Sequence, residues 1–151
     1  MPLRERLADD MKAALKAGET LRLSAIRLLR SELRNMEIAK RAPLTEDEVI
    51  QGVAKEAKRR REAIEQFQKA GRTDLVEKEA AELHVLSQYL PEQLDEAEIV
   101  GIAQEVISEL QAGSKADKGR VMGALMQRVR GRADGRLVNQ IVDRLLDSSS
   151  V

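Results

Sequence analysis

The stretch Tyr89-Leu90-Pro91-Glu92-Gln93-Leu94-Asp95-Glu96-Ala97-Glu98 lies just past the midpoint of the chain and governs how the rest is read. Pro91 has no amide hydrogen and disfavours helical geometry at Leu90, so a helix arriving from the N-terminal side stops here. Asp95 and Glu98 stand at the spacing of a capping box, in which each side chain accepts the other's orphan amide and a new helix begins. Charge changes at the same place. Residues 91–112 hold six acids (Glu92, Asp95, Glu96, Glu98, Glu105, Glu109) and no base. A stop, a start and a change of charge together mark a boundary, so two domains are expected, 1–92 and 93–151.

Upstream of that boundary the apolar residues follow helical spacing. Leu3, Leu7, Met11 and Leu15 recur every four residues up to Gly18. A second stripe runs Leu23, Ile26, Leu29, Leu33 and Met36, with Thr20 as its expected cap and Ala42-Pro43 as its end. Thr45 and Glu48 form another capping box, opening a helix from Glu46 to about Ala70 with Val49, Val53, Ala57, Ile64 and Phe67 inward. Gly71 stops it. Thr73 is expected to cap a fourth helix through Leu75, Leu83, Leu86 and Leu90.

Downstream, Ile99, Ile102, Val106 and Leu110 share one face before Gly113-Ser114. Asp117 is expected to cap a helix carrying Val121, Leu125 and Val129. Asp134 is expected to cap a last one with Leu137, Val138, Ile141, Val142, Leu145 and Leu146. Ser148-Ser149-Ser150-Val151 has nothing to bury and should fray. The expected fold is all-α, an N-terminal four-helix domain of long hairpins followed by a three-helix domain.

Composition agrees. Of 151 residues, Leu and Ala supply 19 each and charged residues 34%, a mixture that favours helices. Phe67 and Tyr89 are the only aromatics, so the core must be aliphatic. The absence of cysteine excludes disulfides, thiolate nucleophiles and Cys-based metal sites, and the single His84 argues against a zinc site or a His-based triad. His84 is read as structural or solvated, with no ligand spacing around it. No apolar run approaches the roughly 20 residues of a membrane span. The start, MPLRERLADDM, lacks an apolar signal core, so a cytoplasmic protein is expected. Phosphate-binding loops and nucleophile elbows are absent, and neither metal nor cofactor is expected.

Lys plus Arg and Asp plus Glu number 26 each, yet charge is unevenly spread. Lys58-Arg59-Arg60-Arg61 is offset by acids at helical spacing (Glu56 to Arg60, Lys58 to Glu62, Arg61 to Glu65) and reads as a solvated, self-paired face. Arg27, Arg30 and Arg34 share one helix face with less compensation, a secondary basic face suited to phosphates or an acidic partner. Residues 115–136 carry seven bases against Asp117 and Asp134, a local charge of +5. Within them Gly123 falls inside a helix, where glycine costs about 1 kcal/mol against alanine. Gly119 lies one turn away on the same face, so something must approach that backbone. Two readings stay open: a tight helix–helix contact, or an RNA backbone with Lys118, Arg120, Arg132 and Arg136 meeting phosphates.

These residues resemble the YqeY-like family over nearly the whole chain. The resemblance is carried by Arg27-Leu28-Leu29-Arg30, Ala70-Gly71-Arg72-Thr73-Asp74-Leu75, Tyr89-Leu90-Pro91-Glu92-Gln93-Leu94, Lys118-Gly119-Arg120-Val121-Met122-Gly123-Ala124-Leu125-Met126 and Gly131-Arg132-Ala133-Asp134-Gly135-Arg136-Leu137-Val138-Asn139. The last two are also similar to the tail of the GatB subunit of tRNA-dependent amidotransferases, which helps hold misacylated tRNA while other domains form the amide. The resemblance implies a tail-like domain at about 95–147. It implies tRNA as partner, with a candidate surface of Lys118, Gly119, Arg120, Gly123, Gly131, Arg132, Gly135, Arg136 and Asn139. The expected function is a tRNA-binding, amidotransferase-related accessory protein, possessing no catalytic site and joined to amidotransferase subunits or another protein. The alternatives are a protein-interaction adaptor and, by resemblance only, a carbon–nitrogen ligase with glutamine as amido donor; the GatB tail lacks that enzyme's chemical domains. The scarcity of aromatics points to recognition by shape and phosphates rather than by base stacking.

Overall fold

The computed structural model describes residues 1–149, and among them the chain forms seven α-helices and one short 3-10 turn, with no strand. The last two residues of the serine tail, for which fraying was expected, lie outside the described residues. The chain divides into two compact units, one up to Pro91 and one from Glu92.

In the first unit α1 spans Leu3–Ala17, α2 Thr20–Lys40, α3 Glu46–Lys69 and α4 Thr73–Ser87. Leu3, Leu7, Ile26, Leu29, Leu33, Val49, Val53, Val85, Leu86 and Tyr89 form one buried cluster. Burying each large aliphatic side chain is worth about 1.5–3 kcal/mol, and these side chains, with Tyr89 as the one aromatic among the buried residues, hold the four helices together.

Leu15 does not join this core; it is 59% exposed, and Ala14 takes the inward place. At 3.6 residues per turn, a strict four-residue step drifts by about 40°, so three steps from Leu3 carry Leu15 about 120° off the stripe. Ile64 and Phe67 are only half-buried for a related reason: α3 runs on beyond the stretch where Val49, Val53 and Ala57 are covered.

The Thr45–Glu48 capping box forms as read, with Glu48 N–H donating to Thr45 Oγ1 (3.2 Å) and Thr45 N–H to Glu48 Oε1 (3.0 Å). Thr20 and Thr73 instead lie inside their helices, and the cap positions, Glu19 and Arg72, make no side-chain cap bond. Gly18 and Gly71, both at φ 70°, turn the chain so tightly that Glu19 N–H reaches Ala14 O (3.0 Å) and Arg72 N–H reaches Phe67 O (2.9 Å), bonds that close the C-terminal ends of α1 and α3.

Arg60 is not paired along its own helix. It reaches across to Glu79 (2.8 Å) and Glu82 of α4, and Glu82 is the one buried charged residue among those described. Arg59 pairs with Glu56 (2.8 Å) and lies 3.8 Å from Glu32 of α2. The basic run is therefore partly a seam between helices, because a side chain on the α3–α4 contact meets the neighbouring helix before it meets water. Gly52 marks another close contact, overlooked in the sequence: a Cβ there would stand 2.7 Å from Leu33 Cδ2 and 2.9 Å from Met36 Sδ. Tyr89 closes this unit. Its hydroxyl donates to Asp10 Oδ2 (2.6 Å), the Arg6 guanidinium lies over its ring (4.8 Å), and burial raises its phenol above the ordinary value.

In the second unit α5 spans Glu96–Leu110, α6 Lys118–Val129 and α7 Gly135–Ser149. The core is purely aliphatic: Ile99, Ala103 and Val106 of α5, Val121, Leu125 and Val129 of α6, and Val138, Ile141, Val142 and Leu146 of α7. The Asp95–Glu98 capping box forms, and Asp134 Oδ1 accepts the Arg136 amide (3.2 Å) at the start of α7. α5 ends at Gln111 in the left-handed region (φ 54°), two residues before the expected Gly113. Asp117 makes no side-chain cap bond to α6; it accepts the Gly113 amide (3.0 Å), closing the 3-10 turn Lys115–Asp117 that no periodicity announced.

Candidate nucleic-acid interface

Because α6 buries Val121, Leu125 and Val129, four residues apart, Gly119, Arg120 and Gly123 are turned to solvent and Lys118 is half-buried. A Cβ added at Gly119 or Gly123 would meet no atom within 4 Å. Among the described residues no helix therefore makes the tight contact considered for these glycines. Gly131, Arg132, Gly135, Arg136 and Asn139 follow the other end of α6, which at 1.5 Å per residue is about 18 Å long. The sequence-derived surface is thus a strip along α6 and into α7 rather than one cluster.

Much of its charge is already answered within the unit. Lys118 Nζ lies 2.8 Å from Asp143 Oδ1, Arg120 3.2 Å from Asp117, and Lys115 3.0 Å from Asp147. Arg128 pairs with Glu105 (2.8 Å) and approaches Glu109 (3.8 Å). The acids of α5 and α7 thus face the basic run, and residues 92–151 hold ten acids against eight bases. The turn after α6 is engaged too. Gly131 O accepts from Gln93 Nε2 (2.8 Å), Arg132 O accepts the Leu94 amide (2.8 Å), and Arg132 Nε donates to Glu92 O (3.4 Å). Gly131 (φ 76°) needs the left-handed region for this turn, so its glycine is accounted for by local structure.

The secondary basic face is less compensated. Arg27, Arg30 and Arg34 lie along one flank of the buried Ile26, Leu29 and Leu33 stripe of α2, and with Ser31 of α2 and Arg4 and Met11 of α1 they line a groove of about 330 Å³. Arg4 pairs with Glu37, whose carboxyl is held below the usual carboxylate range chiefly by that bond. Arg30 Nη1 lies 2.9 Å from Met11 Sδ. No carboxylate lies within 4 Å of Arg27, Arg30 or Arg34 among the described residues. The contribution of Arg4 and Met11 was not legible in the sequence, because a groove between two helices leaves no mark on either helix alone.

His84 is exposed on α4, and among the described residues no group of His, Asp and Glu is placed to hold a metal ion. No helix among them is long and apolar enough to cross a membrane.

Among the described residues, an aliphatic scaffold of seven helices in two units, bearing exposed basic surface, defines an all-α protein. The model of the YqeY-like protein family matches residues 4–146, and the chain belongs to that family. It is 32% identical over 144 residues to altered inheritance of mitochondria protein 41, mitochondrial, of Pyrenophora tritici-repentis, covering 93% of this chain and 79% of that protein. It is 36% identical over 107 residues to the protein of the same name from Lachancea thermotolerans, covering 69% of this chain and 57% of that one. An uncharacterised Schizosaccharomyces pombe protein is 36% identical over 90 residues, covering 60% of this chain and 70% of its own length.

Proposed function

We propose that this chain is an RNA-binding accessory protein that holds tRNA by its phosphates, associated with an amidotransferase and without a catalytic site of its own. The observation that carries this reading is the bare backbone of α6. Among the described residues nothing stands within 4 Å of a Cβ added at Gly119 or Gly123, yet glycine in a helix interior, as at Gly123, costs about 1 kcal/mol, so an external group that needs the space supplies the reason. Lys118 and Arg120 flank that surface, and Arg132 and Arg136 extend it beyond the end of α6. Their partner carboxylates keep them ordered but partly neutralised, so RNA must displace Asp143 and Asp117, and binding is modest and salt-dependent. The compartment proposed is one where tRNA is charged: the cytoplasm or, following the names of the fungal relatives, the mitochondrion.

Filter-binding titration with total tRNA across salt concentrations tests this. The wild-type chain should bind more weakly as salt rises. The variant Lys118→Ala/Arg120→Ala/Arg132→Ala/Arg136→Ala should lose binding while keeping its helical circular dichroism. Unchanged affinity in that folded variant would sink the reading. A protein-interaction adaptor is the second reading, favoured by Leu28 and Ile38 on α2, which are 50% and 67% exposed. It predicts protein partners that co-purify after nuclease treatment and are lost on Leu28→Ser/Ile38→Ser.

A further inference from the structure

The α1–α2 groove gathers four guanidiniums around about 330 Å³, in a chain that has as many acids as bases. Its lining of Arg4, Met11, Arg27, Arg30, Ser31 and Arg34 contains no acid. Arg4 is paired with Glu37, whose carboxyl also feels Arg34, but among the described residues no carboxylate lies within 4 Å of Arg27, Arg30 or Arg34, and like charges held this closely repel. Arg27, Arg30 and Arg34 are spaced three and four residues apart, so their side chains rise from successive turns over about 10 Å of helix. Arg30 rests on the Met11 sulfur, a weak acceptor that leaves most of its five donors uncommitted.

We infer that this groove is a binding site for a compact polyphosphate, meaning two or more phosphoryl groups joined in one small molecule. Guanidinium forks engage phosphoryl oxygens in pairs, and several forks converging on one cavity suit a ligand whose charges are equally concentrated. A single phosphodiester strand passing over the surface would present one charge at a time. The volume is that of a small-molecule site. No aromatic side chain lines it, and Tyr89 is committed to Asp10 and Arg6, so the site reads phosphates and is indifferent to any base attached to them. This inference stands apart from the tRNA reading, which rests on α6 and α7.

Isothermal titration of the whole chain at constant ionic strength tests it, with orthophosphate, pyrophosphate, tripolyphosphate and ATP as ligands. Poly(U) and an oligoglutamate peptide are the comparison arms. Saturable binding of tripolyphosphate at least tenfold tighter than of orthophosphate is expected, with a rise in thermal midpoint. Comparable binding of tripolyphosphate and ATP would show that free and nucleotide-borne polyphosphate are both accepted; preference for tripolyphosphate would assign the site to the free form. Arg27→Gln/Arg34→Gln, at two exposed positions, should weaken binding at least tenfold with the fold intact. Arg30→Lys, which keeps the charge but loses the fork, should weaken it several-fold. Lys118→Gln/Arg120→Gln should leave it unchanged. Equal binding of orthophosphate, binding of ATP alone, binding confined to poly(U) or the peptide, absence of binding, or indifference to Arg27→Gln/Arg34→Gln would each overturn the inference.

Discussion

Gly52 and Gly123 are both glycines inside α-helices, and their surroundings are opposite. Around Gly52 the side chains of Leu33 and Met36 occupy the space a methyl group would need, whereas around Gly123 that space is empty. The two units differ in the same sense. The first uses polar and small residues to draw its own helices together, through Gly52, the Arg60–Glu79–Glu82 seam and the Tyr89–Asp10 bond. The second has an entirely aliphatic core and keeps its ion pairs on the outside. A glycine or an arginine therefore has no fixed meaning from its residue type; what stands opposite decides whether it serves the fold or faces outward.

The largest expected effect tests the first half of that contrast. Arg60→Ala leaves Glu82, with its side chain 4% exposed, without a cation, and breaking a buried pair costs about 3–5 kcal/mol. Urea unfolding should show a loss of at least 2 kcal/mol, since Arg60 and Glu79 retain some contact with solvent; a loss below 0.5 kcal/mol would mean that the seam is not held by charge. Replacing both partners, as in Arg60→Met/Glu82→Leu, should recover most of the loss.

A smaller pair of effects with opposite signs comes next. Gly52→Ala forces Leu33, which is fully buried, to move, and overpacking of about 1–3 kcal/mol outweighs a helix-propensity gain of about 1 kcal/mol. Gly123→Ala meets nothing and should stabilise by up to about 1 kcal/mol. The same substitution should weaken tRNA binding in the filter assay, a gain in stability coupled to a loss of affinity. Shifts of the same sign for both glycines would erase the distinction between the units.

The smallest effect is one of acid stability. The Asp117 carboxyl is held below its usual range, first by accepting the Gly113 amide. Its folded pKa lies below its unfolded one, so its contribution is present above about pH 4 and disappears as pH falls through the folded value. Asp117→Asn should flatten the acid limb of a thermal-midpoint profile slightly and leave the neutral region shifted by a constant. An unchanged acid limb would mean that the Gly113 bond contributes no pH dependence.

Much of the architecture was legible because it is local. Capping boxes at Thr45–Glu48 and Asp95–Glu98 and the helix stop at Gly71 depend on residues a few positions apart, and they stand where the spacing placed them. The inward stripes of α2, α6 and α7 were equally plain, since helical periodicity alone sorts Leu29 or Val121 from their polar neighbours. Leu15 was misjudged because an exact four-residue repeat imitates a stripe while rotating off it. Thr20 and Thr73 do not cap because the left-handed glycines keep each turn so short that both threonines are already the first helical residues, with Glu19 and Arg72 at the cap positions.

The candidate surfaces were legible only as residue types. Sequence by itself determined that the chain is all-helical, built on aliphatic packing, and strongly basic over 115–136 and along α2. Only tertiary structure decided which charges remain available. Asp143 and Glu105 come from helices distant in sequence and answer Lys118 and Arg128, while among the described residues no carboxylate lies within 4 Å of Arg27 or Arg34, and Arg34 feels only Glu37 of its own helix. The physical reason is range: helix propensity, capping and periodicity act within a few residues, whereas the field at a guanidinium and the space beside a glycine depend on whichever helix packs against them.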